Sequence, residues 1–443
     1  MLIPLKLLRD KPLQQQLHEQ LRELIVSSRL APGTRMPSTR MLAAQFSISR
    51  ITALLAYERL IAEGYLRTVA AKGTFVHRAD NPPAPAAVPI AAGRTVGRPD
   101  PKLFPAAKWQ TLMRAALDGL GEAPECGEPA LQRAIARWLS ASRGLAVEAD
   151  QIILAHGRQH ALHIAAHLLL RPGTRVVVEA PGDPLTEQLL AGTGATLIAV
   201  PVDDDGMRTE LLPAWPAAMA LVTPEHQRPL GAVMPLARRQ ALLAWAGQSG
   251  ATVVEEDSDS ELRYEPAEAP PLMRLDRDGI VLHAGDFAAT LGAGVAIGYL
   301  AVPRRLIEAA RAASSVAGLY GGRLEADALA ALLDSGLYAR HMLGVRRTCL
   351  ARRDTLIRSL RLHFGEDARI AGTAAGLHIA WTRDHAQPVA ELALRLGLDA
   401  GCCGDRVVLL GFGLPGERQI ELGVARLAEA LADARRGTAL SGD

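Results

Sequence analysis

Lysine is scarce in this chain of 443 residues: lysine and arginine together number 49, and only five of these are lysines. The last is Lys108, so no later residue supplies a side-chain amine as a nucleophile or Schiff-base former. Arginine does not replace it, because the guanidinium stays protonated and is a poor nucleophile. Lysine-dependent covalent catalysis is therefore excluded for residues 109–443.

Cysteine and long apolar runs are also scarce. Four cysteines are too few for a disulfide framework. No apolar run reaches the roughly 18 residues of a membrane helix, and the opening segment MLIPLKLLRD lacks the apolar stretch of a secretory signal. Hydrophobic residues make up 49% and charged residues 22%, which excludes disorder throughout. We expect a cytoplasmic, globular protein of about two or three domains with no membrane partner.

Charge is distributed unevenly along the chain. Residues 1–80 carry twelve Lys/Arg and six Asp/Glu, a net of +6, and the whole chain carries +2, so the remainder sums to −4. A small basic module beside a mildly acidic body favours a polyanion partner such as nucleic acid. An ordinary solvated surface would give the same charge, so charge alone leaves both interpretations open.

The first 80 residues predict three helices and a hairpin. Ser38 is a suitable N-cap for a helix over 39–46, and a third helix is predicted from about 50 to 63. Residues 65–69 and 74–77 alternate like two strands. The first helix is predicted from apolar residues at helical spacing, namely Leu13, Leu17, Leu21, Leu24 and Ile25. Together these elements predict a winged helix-turn-helix, with a plain helical bundle as the alternative.

In that fold the third helix enters the major groove of DNA, where its first residues reach the bases. Those residues are Ser49, Arg50 and Thr52, and Arg50 is predicted to read a guanine with two hydrogen bonds. Arginines and a lysine elsewhere in the module would hold phosphates, which position the protein without specifying sequence. The predicted DNA contacts outside the third helix are Arg35, Ser38, Arg40, Lys72, Gly73 and Thr74.

The rest of the chain divides into a linker and a large body. Residues 80–98 are rich in proline and alanine and predict an extended linker between a DNA-binding domain at 1–79 and a domain at 99–443. In the large domain, helical patterns alternate with short apolar runs, which predicts an α/β fold with a mostly parallel sheet. The apolar runs lie at 175–179, 196–200, 219–223, 252–255, 280–282 and 296–301.

Several segments resemble known families. The GntR-type winged-helix domain of bacterial regulators is similar to L-A-P-G-T-R-M-P-S-T-R-M-L-A (30–43), S-I-S-R-I-T (47–52), Y-E-R-L-I-A-E-G-Y-L (57–66) and K-G-T-F-V (72–76). The large domain resembles the fold-type I aminotransferases, in the arrangement of the MocR-type regulators, through H-G-R-Q-H-A-L (156–162), T-P-E-H-Q-R-P-L-G (223–231), E-E-D-S-D-S-E (255–261) and residues 284–300. The resemblance implies a smaller C-terminal α+β subdomain from about residue 316.

The resemblance also implies a site for pyridoxal phosphate, and this chain departs from the family pattern there. The family's lysine stretch, G-T-F-S-K-T-L-x-P-G-L-R-L-G-Y, aligns with residues 285–299 without a gap. The alignment places Ala289 at the lysine, Ala288 at a phosphate-binding serine and Ala296 at a phosphate-binding arginine. We therefore expect no covalently bound cofactor and no transaminase activity, whereas non-covalent binding of pyridoxal phosphate stays open.

Other departures lie around the same cleft. Glu256 stands for the aspartate that pairs with the pyridine nitrogen, and Ser258 and Asp183 stand for tyrosines, as does Glu122. Arg158 is the new cation in the phosphate-binding segment. The predicted former cofactor pocket, or ligand pocket, comprises Gly157, Arg158, Gln159, Asp183, His226, Arg228, Glu256, Ser258, Ala288, Ala289 and Ala296. The run of acids at 255–261 is interpreted as a strand-end loop with some solvated charges, and no catalytic or metal-binding residue is predicted.

The sequence as a whole predicts a cytoplasmic transcription regulator that binds double-stranded DNA. The resemblance implies a homodimer formed through the aminotransferase-like domain, and a small effector in the former cofactor cleft. Two alternatives stay open: a regulator or aminotransferase with intact pyridoxal phosphate chemistry, and a constitutive DNA-binding dimer whose large domain is purely structural.

Overall fold

The computed structural model describes residues 5, 13–26, 30, 33–62, 65–69, 73–76, 96–119, 129–257, 259–266, 269–292, 294–318, 322–366 and 368–439. The chain divides into two compact units, Met1–Ile90 and Ala91–Asp443. Only residues 96–98 of the predicted linker are among those described, so its extended form stays a prediction.

The described part of the first unit is a winged helix-turn-helix, which confirms the predicted fold. Leu17, Leu21 and Leu60 are fully buried and hold the helices together, and β1 pairs antiparallel with β2. Because Ser47 adopts a left-handed conformation (φ 51°), the chain turns sharply between the second and third helices. The elements are α1 (Leu13–Val26), α2 (Thr39–Phe46), α3 (Arg50–Ala62), β1 (Leu66–Val69) and β2 (Gly73–Val76).

The second unit is built on an eight-stranded sheet, ordered β3-β10-β9-β8-β7-β4-β5-β6. Neighbouring strands from β9 through to β5 are parallel, whereas β10 runs antiparallel to both β3 and β9. The mostly parallel sheet is thus confirmed, and its central strands are buried. The strands are β3 (Ile152–Ala155), β4 (Arg175–Ala180), β5 (Thr196–Asp203), β6 (Gly206–Met207), β7 (Met219–Val222), β8 (Thr252–Asp257), β9 (Val281–Asp286) and β10 (Gly298–Ala301).

Helices flank this sheet and complete its hydrophobic core. α6 and α11 cover part of the sheet through residues such as Ile164 and Ala310, and α8 packs through Leu242 and Ala246 in a separate cluster. None of the described helices is long and apolar enough to cross a membrane. The helices are α4 (Ala106–Asp118), α5 (Pro129–Arg143), α6 (Gly157–Leu169), α7 (Pro184–Gly192), α8 (Leu236–Ser249), α9 (Leu272–Leu275), α10 (Ala288–Leu291), α11 (Ile307–Ala317), α12 (Arg323–Asp334), α13 (Leu337–Phe364), α14 (Ala386–Arg395) and α15 (Glu417–Ala439).

A smaller antiparallel sheet follows in the C-terminal part, in the order β11-β12-β14-β13. Trp381 on β12 is buried with Phe412 and Leu427, which joins this sheet to α15 and to the largest hydrophobic cluster. This arrangement has the α+β character expected of the chain beyond about residue 316. The strands are β11 (Ile370–Ala371), β12 (His378–Thr382), β13 (Asp399–Cys403) and β14 (Val407–Gly411).

Candidate functional site

Two serine side chains fix the helix-turn-helix of the first unit. The Ser38 hydroxyl accepts a hydrogen bond from the Met41 N–H at 3.2 Å and caps α2. The Ser49 hydroxyl accepts one from the Thr52 N–H at 3.0 Å and caps the start of α3. These caps place Arg50 in the first turn of α3, where it is exposed. The residues predicted to reach DNA bases therefore lie together at one exposed helix end. Ser38 and Ser49, both predicted DNA contacts, also cap α2 and α3 through their hydroxyls.

The wing brings a second group of predicted DNA contacts together. Arg35 forms an isolated β-bridge with Phe75, and its guanidinium lies against Gly73, where an added Cβ would be 3.3 Å from Arg35 Nε. The Met36 N–H donates to the Thr74 carbonyl at 2.9 Å. Arg35 is thus held beside the hairpin, with its side chain exposed. Exposed Arg40 lies on α2, and Lys72 lies outside the described residues.

In the second unit, the carboxyl ends of parallel strands meet at one edge of the sheet, where ligands bind in open α/β folds. Asp183 follows β4, Arg228 follows β7, and Asp286 ends β9. Arg158 lies in the first turn of α6, which follows β3. The structure therefore brings together most of the pocket residues predicted from the sequence; of these, only Ser258 lies outside the described residues.

Arg158 makes two ion pairs across this cleft. Its Nη1 donates to Glu256 Oε1 at 2.9 Å and its Nη2 to Asp183 Oδ2 at 2.9 Å. Burial acts to raise the pKa of Asp183, but Arg158 offsets that effect and the pKa is lowered. Burial raises the pKa of Glu256, and the charges of Arg158 and Arg228 offset this only in part. The new cation predicted in the phosphate-binding segment is therefore neutralised by the chain's own acids.

Arg228 forms the second ion-pair centre. Its Nη2 donates to both carboxylate oxygens of Asp259, at 3.1 and 3.2 Å, and its Nε lies 3.8 Å from Glu256 Oε1. Asp259 also lies 3.0 Å from His226 Nδ1. Although burial opposes ionisation, Arg228 and His226 hold the pKa of Asp259 well below its usual range. Arg228 is thus engaged inside the cleft.

Asp286 reaches the start of α6 from the end of β9. Its Oδ2 accepts a hydrogen bond from the Arg158 backbone N–H at 3.3 Å, and its Oδ1 accepts one from the Ala288 N–H at 3.2 Å. Burial raises the pKa of Asp286, and Arg158 and Arg228 act in the opposite direction. Ala289 packs against the largest hydrophobic cluster, and Ala296 is exposed. Both side chains are methyl groups, which offer no polar atom.

Little space remains between these side chains. One cavity of about 20 Å³ is lined by Glu179, Asp183, Arg228 and Glu256, among others. This is room for about one water molecule. Among the residues lining it, Glu179 accepts a hydrogen bond from the Thr223 N–H at Oε2 (3.2 Å), and its Oε1 is buried without a partner among the described residues. Burial raises the pKa of Glu179 to about 7.

The acids at 255–261 are all buried where the structure describes them, so the interpretation as a partly solvated loop is wrong. Asp257 and Glu261 each lie 3.2 Å from Arg143, and Glu255 lies 3.0 Å from His283. Sequence reasoning missed Arg143 and His283. A run of acids that begins within a buried strand indicates that positive partners are needed, but it does not say which distant cations supply them.

The two units match two different protein families. The family described as bacterial regulatory proteins, gntR family, matches residues 13–76, and aminotransferase class I and II matches residues 98–376. The chain is 32% identical to the probable rhizopine catabolism regulatory protein MocR of Rhizobium meliloti, over 84% of this chain and 81% of that protein. It is 33% identical to the HTH-type pyridoxine biosynthesis transcriptional regulator PdxR of Corynebacterium glutamicum, over 94% and 95%. A solved kynurenine aminotransferase of Pyrococcus horikoshii covers 76% of this chain and 90% of its own, with a TM-score of 0.69 and 25% identity.

Proposed function

The chain belongs to the family of GntR-type bacterial transcription regulators that carry an aminotransferase class I and II domain, and we propose that it recognises a DNA operator as a homodimer. The observation that supports sequence-specific recognition best is the exposed Arg50 in the capped first turn of α3. An arginine in that position reaches the N7 and O6 atoms of guanine in the major groove.

Selection of bound sequences from random duplexes tests this recognition. Full-length protein should enrich one motif containing a guanine that Arg50→Ala no longer selects. Enrichment of the same motif by both proteins would contradict the role of Arg50. A paired motif, with half-sites separated by multiples of about 10 base pairs, would support two recognition helices in one dimer, and sedimentation at equilibrium would measure the dimer directly.

The large unit does not fit pyridoxal phosphate as an aminotransferase would hold it. The chain has no lysine after Lys108, and Ala289 stands where the aligned family has its lysine. The phosphate dianion needs cationic or strong donor partners, whereas Ala288 and Ala296 supply neither. Asp183 and Asp286 add negative charge to the cleft. We therefore infer a cytoplasmic regulator that forms no aldimine and catalyses no transamination.

The role of the cleft separates two versions of this function. In the first, a small effector binds there and changes the placement of the winged helices. In the second, the large unit only dimerises, which the cavity of about 20 Å³ favours because an effector would have to displace the ion pairs of Arg158. A thermal-shift screen of metabolites distinguishes them. A saturable stabiliser that also changes operator affinity supports the effector, and its absence across amines, acids and phosphates supports the structural role.

A further inference from the structure

An internal carboxylate already occupies the anion-binding position of the cleft. The first turn of an α-helix attracts anions through its free N–H groups, and α6 spans 13 residues. Asp286 accepts the Arg158 N–H there at 3.3 Å, and its other oxygen accepts the Ala288 N–H at 3.2 Å. Ala288 aligns with a phosphate-binding residue of the family. The carboxylate of Asp286 therefore takes donors that a bound phosphate would need.

An internal cation occupies the opposite end of the same cleft. Glu256 aligns with the acid that pairs with the ring nitrogen of the cofactor, and here it accepts a hydrogen bond from Arg158 Nη1 at 2.9 Å. The other arm of the guanidinium reaches Asp183, which stands in place of a tyrosine of the family. Glu256 is 3% exposed, so this acid needs a positive partner within the protein. Arg158 supplies that charge from the second residue of α6, three residues after β3 ends at Ala155.

We propose that Asp286 and Arg158 are built-in substitutes for the two charged ends of pyridoxal phosphate, so that the cleft is filled by the chain itself and the large unit folds without a cofactor. This inference rests on the proposed function, which assigns the cleft as a former cofactor site. Each substitute has the same sign of charge as the group it replaces. The surrounding donors and acceptors therefore keep their partners, and the cavities of about 20 and 10 Å³ beside Arg228 and Glu256 are each too small for a pyridine ring.

Phosphate binding to full-length variants tests the carboxylate. Wild-type protein should show no saturable rise in melting temperature with inorganic phosphate or with pyridoxal phosphate. Asp286→Ala frees the N–H groups of Arg158 and Ala288, so this variant should bind inorganic phosphate at least ten-fold more tightly than wild type. Asp334→Ala, which removes the exposed partner of Arg137 at 2.7 Å, is the matched control and should behave as wild type.

Asp286→Asn keeps the test decisive if the alanine variant does not fold. The amide retains the size and one acceptor of the carboxylate but removes its charge, so phosphate should still bind more tightly than to wild type. Saturable binding of phosphate to wild type, or a folded Asp286 variant with no gain in phosphate binding, would overturn the inference. Cooperative melting and unchanged operator affinity establish that the variant is folded.

Chemical rescue tests the cation. Arg158→Ala leaves Glu256 and Asp183 without their shared partner, so its melting temperature should fall by several degrees. Methylguanidinium at low millimolar concentration should restore part of that loss in Arg158→Ala and none in the surface control Arg137→Ala. Equal effects in both variants would count against Arg158 as a cofactor substitute.

Absorbance separates failure of this inference from failure of the proposed function. A visible absorbance band from pyridoxal phosphate, together with cofactor that stays attached to the wild-type protein after reduction with borohydride, would overturn both. Non-covalent binding of pyridoxal phosphate to wild type, without such a band, would overturn only the substitution by Asp286 and Arg158.

Discussion

Gly298 and Gly157 are in such close contact that a Cβ added to Gly298 would lie 2.6 Å from the Gly157 carbonyl carbon. Gly298 begins β10 and pairs with Ala155 and Asp286 on the two neighbouring strands. Gly157 begins α6 with a left-handed conformation (φ 71°) that favours glycine. The contact holds the first turn of α6, and with it Arg158, against the sheet.

We expect Gly298→Ala to destabilise the protein by about 1–3 kcal/mol, because the methyl group meets backbone atoms that have no room to move. Gly247→Ala is the matched control. Gly247 lies within α8 and an added Cβ there meets nothing within 4 Å, so the substitution should stabilise by about 0.5–1 kcal/mol. Chemical denaturation measures both. Equal stability of the two variants would contradict the close contact.

Arg50→Ala should weaken operator binding by about 1–3 kcal/mol and relax sequence preference, because it removes a predicted base contact. Lys72→Ala should weaken binding to all sequences alike and reduce the slope of log affinity against log salt by about one, as expected for one lost phosphate contact. Fluorescence anisotropy at several salt concentrations distinguishes these effects. Unchanged affinity and preference in both variants would refute the DNA contacts.

Ala289→Lys alone should not create a stable aldimine with pyridoxal phosphate. The phosphate group of the cofactor would still lack partners, because Ala288 and Ala296 supply none. Asp286 would also still accept the hydrogen bonds of the Arg158 and Ala288 N–H groups. Absorbance after borohydride treatment measures the adduct. A stoichiometric band would show that lysine was the sole missing part.

Glu179 should make the protein less stable as pH rises. Its folded pKa is about 7 against an ordinary value of 4.5, since burial favours the protonated form. Its stabilising contribution is full below pH 4.5 and is lost as pH rises through 7, by about 3 kcal/mol. The side chain in Glu179→Gln stays neutral, so the free energy of unfolding of this variant should rise relative to wild type by up to about 3 kcal/mol between pH 5 and 8. Parallel stability curves for the two proteins would contradict this, and Glu308→Gln, at an exposed glutamate, is the control.

Local structure followed closely from the sequence. The cap at Ser38 predicted α2 as Thr39–Phe46, as observed, because a capping signal acts over a few residues. The antiparallel placement of β10 between β3 and β9 was not predicted, since strand order depends on packing between distant segments.

The cleft was predicted as a set of residues but not as a set of contacts. Arg158 was noticed because it departs from a family pattern. Its partners could not be foreseen, since Asp183 follows β4 and Glu256 lies on β8, both distant in the sequence. Arg143 escaped notice because its partner Asp257 is 114 residues away. Nothing in the local sequence around a buried acid identifies the cation that will neutralise it.

The pairing of β3 with β10 also sets the order in which the protein can be completed during synthesis. β3 is an edge strand of the described sheet, and its pairing partner there is β10. All four residues of Ile152–Ala155 are buried in the finished protein, but a nascent chain exposes them until residues 298–301 leave the ribosome. An exposed apolar edge of this kind invites association between chains. Fragments that end before Gly298 should therefore aggregate, and holding chaperones should engage the nascent chain during this interval.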